Sequence, residues 1–114
     1  MLPSHFIRFE HCGEFIAFYL PDADHDFVQR CMYRNKTFWE IRQLKIAKKC
    51  FPQNGFFVDV GAYVGNHSVY AAKFFGAKKI YAFEPQEAII PILKKNISIN
   101  RIDDKIEFFP VALT

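Results

Sequence analysis

The sequence predicts an α/β protein whose carboxyl-terminal half is a Rossmann-like, doubly wound parallel sheet, truncated to the order β-α-β-α-β and preceded by an N-terminal β-hairpin and helices. Three short apolar runs, at 56–60, 79–84 and 106–113, have the length of strands, and segments with helical spacing separate them. Such crossovers are right-handed and place the strands in parallel. A chain of 114 residues, 51% of them hydrophobic, has enough material for one core.

The first fifty residues predict a hairpin and two helices. Two arms rich in Phe and Ile flank His11–Glu14, so residues 6–20 form the hairpin. Asp24 or Asp26 is then expected to cap a short helix, and a second helix covers roughly 38–50. The apolar side of the first helix is predicted to consist of Phe27, Val28, Cys31 and Met32, and Cys50 is expected to pack under a helix.

The acids at 22–26 alternate as they do at the start of a calcium loop. The sixth and twelfth positions of such a loop require Gly and Glu, but Phe27 and Tyr33 occupy them here. We therefore predict no metal site.

The remaining elements follow from the same patterns. The strand at 56–60 is apolar at four of its five positions, which is typical of a strand covered on both faces. A helix follows Gly65 and ends near Gly76. Pro91 lies inside the next helical pattern, so that helix is either kinked or begins near Pro91. Residues 100–104 form a loop, and the last strand, 106–113, has Pro110 at or near its end.

The domain prediction separates a lead-in, residues 1–55, from residues 56–114, the cofactor-binding half of a sheet. In such a sheet the glycine-bearing strand should be central, yet its far side finds no partner strand in this sequence. An open apolar strand edge predicts self-association with another chain.

The glycine turn between the first strand and its helix predicts a cofactor site. Its pattern is Asp59-x-Gly61-x-x-x-Gly65, and glycine permits a tight turn and a close ligand. Asp59 replaces the first glycine of the dinucleotide fingerprint and would repel a pyrophosphate, so it favours a cationic ligand. Glu84, at the end of the next strand, suits the hydroxyls of a ribose. Together they favour S-adenosylmethionine over NAD.

Residues 22–113 resemble the front portion of the FkbM family of S-adenosylmethionine-dependent methyltransferases. The matching pieces are Asp24-His25-Asp26, Phe38-Trp39-Glu40, Val58-Asp59-Val60-Gly61-Ala62, Gly65-Asn66-His67-Ser68, Ala82-Phe83-Glu84-Pro85, Leu93-Lys94-Lys95-Asn96-Ile97 and Pro110-Val111-Ala112-Leu113. The resemblance implies a class I methyltransferase that methylates a hydroxyl group, often of a sugar or a polyketide.

The resemblance also implies which residues bind the cofactor. Gly61 and Gly65 would frame its methionine end, with Asp59 near the amino group, and Glu84 would hold the ribose. The full predicted set is Asp59, Gly61, Ala62, Tyr63, Gly65, Asn66, His67, Glu84, Pro85 and Gln86. Many relatives have Asn where this chain has Tyr63. Glu40 either faces the same pocket or stabilises its own helix start. His67 either acts as a base or serves in capping or packing at the start of its helix. No catalytic residue is assigned.

Composition limits the classes of binding partner and the cellular location that we expect for this protein. The net charge is only +3 and the lysine pairs are dispersed, so we predict no nucleic-acid partner. The resemblance implies a small-molecule or glycan hydroxyl acceptor. The longest apolar runs are about six residues, so no membrane span is expected. Three well-separated cysteines and a start without a signal peptide indicate a cytoplasmic protein with reduced thiols.

The resemblance places the remaining strands, the acceptor pocket and any base after the third strand. We therefore expect this piece alone to transfer no methyl group, and turnover with radiolabelled cofactor would contradict that expectation. Two alternatives stay open. One is a non-catalytic remnant or interaction module, and the other is a Rossmann-like enzyme that uses NAD or a nucleotide.

Overall fold

The computed structural model describes residues 5–113, which form five strands and four helices. The elements in chain order are β1 (Phe6–His11), β2 (Glu14–Tyr19), α1 (Phe27–Asn35), α2 (Ile41–Cys50), β3 (Phe56–Val60), α3 (Asn66–Phe74), β4 (Lys79–Phe83), α4 (Ile90–Ile99) and β5 (Ile106–Phe109). The predicted order of elements, and with it the Rossmann-like α/β class, is confirmed.

The hairpin closes through a two-residue turn. Strands β1 and β2 pair antiparallel, and His11 lies opposite Glu14. Cys12 and Gly13 both have positive φ, at 48° and 81°, which suits the right-handed twist of a tight hairpin. Ile7, Ile16 and Phe18 are buried on the inner face, and the prediction of this element is confirmed.

The two lead-in helices differ from the prediction in detail. Asp26 caps α1, because its carboxylate accepts the Gln29 N–H at 2.9 Å. The predicted apolar side is wrong in one respect, since Phe27 is exposed and Gln29 is buried. Helix α2 begins at Ile41 rather than at residue 38, and Cys50 at its end is exposed rather than packed under a helix.

The central sheet has the strand order β3-β4-β5, all parallel. Both crossovers move in the same direction, so right-handed connections put α3 and α4 on the same face. The Phe57 ring packs against Phe75 just after α3, and Lys94 of α4 lies over the Phe108 ring, on that same face by register.

The opposite face of the sheet is open within residues 5–113. Phe56, Val58 and Val60 are 59%, 52% and 59% exposed, so the expectation that β3 is covered on both faces is wrong for this part of the chain. Strand β3 also lies at the edge of the sheet. Continuous apolarity was therefore a misleading sign of double coverage.

Two prolines set element ends. Pro91 lies in the first turn of α4, where its missing N–H costs nothing, so the helix begins near Pro91 as one of the two alternatives predicted. Strand β5 ends at Phe109 rather than at residue 113, because Pro110 cannot donate to a strand ladder.

Two asparagines of α4 bind the hairpin to the rest of the fold. Asn96 accepts the Tyr19 N–H at 2.6 Å and donates to the Tyr19 carbonyl, and Asn100 does the same at Ala17. Residues four apart on a helix are separated by about 6 Å along its axis, close to the two-residue repeat of a strand. The side-chain amides therefore satisfy the backbone groups of Ala17 and Tyr19 at the outer edge of β2 and partly cover that edge.

The hairpin, α1, α2 and the β-α-β-α-β unit all contribute to a shared apolar core. Within residues 5–113, no helix has the length and apolarity that crossing a bilayer requires. Cys12, Cys31 and Cys50 are all free thiols.

Candidate cofactor site

The glycine turn joins the carboxyl ends of β3 and β4. The Gly61 and Ala62 N–H groups both donate to the Phe83 carbonyl, at 2.8 and 2.9 Å, which fixes the turn against β4. Gly61 has a φ of 72°, and a β-carbon built there would meet nothing within 4 Å. The space above Gly61 is therefore open to a ligand.

Gly65 serves a different need. Its φ is 97°, and a β-carbon there would lie 3.1 Å from the Leu93 side chain of α4. Helix α3 begins immediately after it, and Leu93 is fully buried. The glycine is required because α3 and α4 approach closely at this point.

Glu84 follows β4 and is held in one orientation. Its Oε1 accepts the Tyr63 N–H at 2.8 Å and its Oε2 accepts the Gln86 N–H at 3.1 Å. The residue is only 2% exposed, so hydroxyl groups that bind it compete with these two N–H donors. Pro85 and Gln86, directly beside it, are exposed. The structure brings Glu84, the glycine turn and the Pro85-Gln86 segment together.

Asp59 lies beneath the turn rather than above it. It is 5% exposed, and its Oδ2 accepts the Ser68 hydroxyl of α3 at 2.5 Å. Burial raises the pKa of the Asp59 carboxyl group, although the hydrogen bond from Ser68 acts in the opposite direction, and the neighbouring Glu84 carboxylate raises it further. Asp59 thus connects β3 to α3.

The Tyr63 side chain is directed toward α1. Its hydroxyl accepts a hydrogen bond from Gln29 Nε2 at 2.9 Å, and Gln29 Oε1 accepts the Asp22 N–H. Burial raises the pKa of Tyr63 to about 12, so the phenol stays protonated at ordinary pH. Tyr63 therefore contributes its backbone N–H to the site, through Glu84, and its side chain to the lead-in.

Asn66 attaches the segment before α2 to the start of α3. Its side chain accepts the Trp39 N–H at 2.8 Å and donates to the Trp39 carbonyl at 2.9 Å. Beside it, His67 Nε2 lies 3.2 Å from Glu40 Oε1. The structure therefore brings Glu40 to the site residues, although it lies 27 positions before His67.

The backbone of Glu40 is strained. Its φ is 57°, a conformation that costs a non-glycine residue about 1–2 kcal/mol. Its side chain makes no capping hydrogen bond to α2. Even a fully charged pair at such an exposed position would contribute only about 0–1 kcal/mol, which does not offset that strain.

Sequence reasoning missed Ser68 and Gln29 as site-supporting residues. Ser68 belongs to the matched motif Gly65-Asn66-His67-Ser68 and lies in the first turn of α3. That position could have predicted its contact with Asp59 near the end of β3. Gln29 gave no signal, because a polar residue in an amphipathic helix is normally exposed.

No family model matches this sequence. A stretch of 49 residues, 43% of the chain, is 39% identical to methyltransferase sdnD of Sordaria araneosa and covers 19% of that protein. Among solved structures, TYW2 of M. jannaschii in complex with AdoMet has a TM-score of 0.61 at 18% identity, covering 97% of this chain and 45% of that one.

The complex of aTrm5 with tRNALeu has a TM-score of 0.56 at 24% identity and covers 90% of this chain and 27% of that one. The chain thus has the Rossmann-like fold of class I methyltransferases. It spans less than half the length of each of these three proteins.

Proposed function

We propose that this chain is the cofactor-binding part of an S-adenosylmethionine-dependent methyltransferase. One observation carries the proposal: the open space above Gly61 lies next to a carboxylate, Glu84, that two backbone N–H groups hold at the end of the adjacent strand. Ligands of open α/β sheets bind beyond the carboxyl ends of their strands. The local identity to a methyltransferase supports the same function.

The charges of the site favour this cofactor over a dinucleotide. The Glu84 carboxylate lies close enough to Asp59 to contribute to the raised pKa of the Asp59 carboxyl group, of which burial is the main cause. The Glu84 carboxylate at the end of β4 disfavours a pyrophosphate, whereas a sulfonium ion with an ammonium group is attracted. The buried Asp59 carboxyl group contributes less, because burial raises its pKa. NAD is therefore the natural negative control.

The finer assignment is to the FkbM family, with transfer of the methyl group to a hydroxyl of a small molecule or a glycan. The motifs shared with that family and the dispersed lysine pairs support it. The structure of aTrm5 contains tRNALeu, which is a property of aTrm5. If an acceptor screen of this protein found methylation of a nucleic acid, that result would contradict the hydroxyl-acceptor proposal. The proposal includes no metal, because the alternating acids at 22–26 lack the Gly and Glu that a calcium loop requires.

The division into a lead-in, residues 1–55, and a cofactor-binding half, residues 56–114, is part of the same proposal. The lead-in supplies Gln29, Trp39 and Glu40, which support or border the site. We also propose a cytoplasmic location, which the three free thiols suit.

The test is calorimetric titration with S-adenosylhomocysteine and, separately, with NAD. We expect the homocysteine compound to bind and NAD not to bind. Glu84→Ala should weaken binding at least tenfold, because charge-assisted hydrogen bonds to the ribose are lost. Glu87→Ala, an exposed carboxylate three residues away, is the matched control and should bind normally. A folded wild-type chain that gives no heat with S-adenosylhomocysteine, or equal heat with NAD, would contradict the proposal.

A further inference from the structure

We infer that Glu40 binds the ammonium group of the cofactor's methionine part and that His67 positions it. The inference rests on the proposed function, since it concerns one end of the same cofactor. It assigns a role to a side chain from the lead-in, outside the strands and turns that form the rest of the site.

The placement of Glu40 is the first argument. Helix α3 starts directly after the glycine turn, and the Asn66 side chain binds both backbone groups of Trp39 there. The next residue, Glu40, reaches His67 in the first turn of α3 at 3.2 Å. Three hydrogen bonds thus hold this carboxylate at the first turn of α3, the helix that follows the glycine turn where the methionine end of the cofactor is proposed to lie.

The second argument is a comparison of the carboxylates near the turn. An ammonium ligand requires an accessible carboxylate. Asp59 is almost fully buried and already accepts the Ser68 hydroxyl, and Glu84 is enclosed by two N–H donors. The Glu40 side chain is 40% exposed, so it keeps free lone pairs toward solvent. Of these three carboxylates, Glu40 is the most exposed and therefore the most accessible to an ammonium group.

The third argument is the strain at Glu40. A residue at this position of a helix normally has an extended backbone and caps the helix with its side chain. The backbone of Glu40 is instead in the left-handed conformation, and its side chain contacts His67 of α3 rather than the backbone of α2. Strained residues that neither cap nor pack are concentrated at ligand sites.

The role of His67 follows from the hydrogen bond. His67 Nε2 lies 3.2 Å from Glu40 Oε1. Because a carboxylate can only accept a hydrogen bond, we assign the Nε2–H group of the imidazole as the donor. This bond uses one oxygen of Glu40 and leaves the other for the ligand. His67 is thus a positioning residue.

The experiment compares two ligands, S-adenosylhomocysteine and methylthioadenosine, which lacks the amino-acid group. We expect Glu40→Gln to weaken binding of S-adenosylhomocysteine about tenfold and to leave methylthioadenosine binding unchanged. His67→Leu should show the same selective loss, about threefold, and His67→Gln should restore affinity because its amide also donates. Glu107→Gln and His25→Asn, both exposed and far along the chain from the pair, are controls and should bind normally.

Equal affinity of wild type and Glu40→Gln for S-adenosylhomocysteine would overturn the inference and leave the proposed function intact. A loss of both ligands in Glu40→Gln, with an unchanged melting temperature, would also overturn it, because the effect would then not depend on the ammonium group. A folded wild type that binds neither ligand would overturn the proposed function and the inference with it.

Discussion

The two glycines of the cofactor turn should respond differently to the same substitution. Both have positive φ, but the space above Gly61 is open, whereas a β-carbon at Gly65 would lie 3.1 Å from Leu93. Replacing either by Ala costs about 1–2 kcal/mol in backbone strain. Reduced freedom of the unfolded chain returns about 0.4–1 kcal/mol.

We therefore expect Gly61→Ala to lower the free energy of unfolding by about 1 kcal/mol. Gly65→Ala adds crowding against a fully buried leucine, so its loss should be about 2–3 kcal/mol. Binding should show the reverse order. The β-carbon at position 61 would occupy the proposed ligand space, so Gly61→Ala should weaken S-adenosylhomocysteine at least tenfold.

Urea unfolding followed by Trp39 fluorescence measures the stability, and calorimetry measures the binding. Gly13→Ala is the matched control, because Gly13 has a φ of 81° and open space but lies in the hairpin turn. It should lose as much stability as Gly61→Ala and bind normally. Equal stability losses at 61 and 65, or normal binding by Gly61→Ala, would refute the assignment of the two roles.

Three further perturbations test the fold and its open face. Asn96→Ala leaves the Tyr19 backbone groups without partners and should lower the free energy of unfolding by about 2–3 kcal/mol in urea titrations. Ser98→Ala, exposed on the same helix, should change it by less than about 0.5 kcal/mol, and equal losses would contradict the role of Asn96. Asp59→Asn removes a carboxyl group whose pKa is higher in the folded protein than in the unfolded chain, where it is about 3.9. Such a group stabilises the wild-type fold at pH values below the unfolded pKa, and this stabilisation is lost as the pH rises through the folded pKa. The variant should therefore gain melting temperature relative to wild type between pH 4 and pH 7, and a difference that stays constant or shrinks would contradict this sign. Val58→Glu on the open face should reduce self-association in light scattering at high concentration, and an unchanged mass distribution between wild type and variant would argue against association through this face.

The patterns that predicted the fold were those with a local cause. Alternating and continuous apolar runs, the turn glycines and the capping Asp26 act over a few residues, so they identified all nine elements and both sheets. Element ends were less accurate where a tertiary contact decides them. Helix α2 begins at Ile41 because the residues before it are bound to Asn66 from a distant part of the chain.

The candidate site shows the same division. The motif around Gly61, Gly65 and Glu84 was visible because tight turns and strand ends require particular residues. The different roles of Gly61 and Gly65 were not visible in the sequence, because only the close packing of α4 against Gly65 distinguishes them. Nor did the motif show that the Asp59 side chain lies beneath the turn, since the face toward which a strand residue points depends on where the helices pack.

By itself, the sequence determined the order of elements, the parallel β-α-β-α-β unit and the position of the glycine turn, because these depend on neighbouring residues. The tertiary structure decided the rest. It placed both helices on one face, left Val58 and its neighbours on the other face exposed, and brought Glu40 to His67 across 27 residues. Such contacts between distant segments depend on how complete elements pack, which no local pattern encodes.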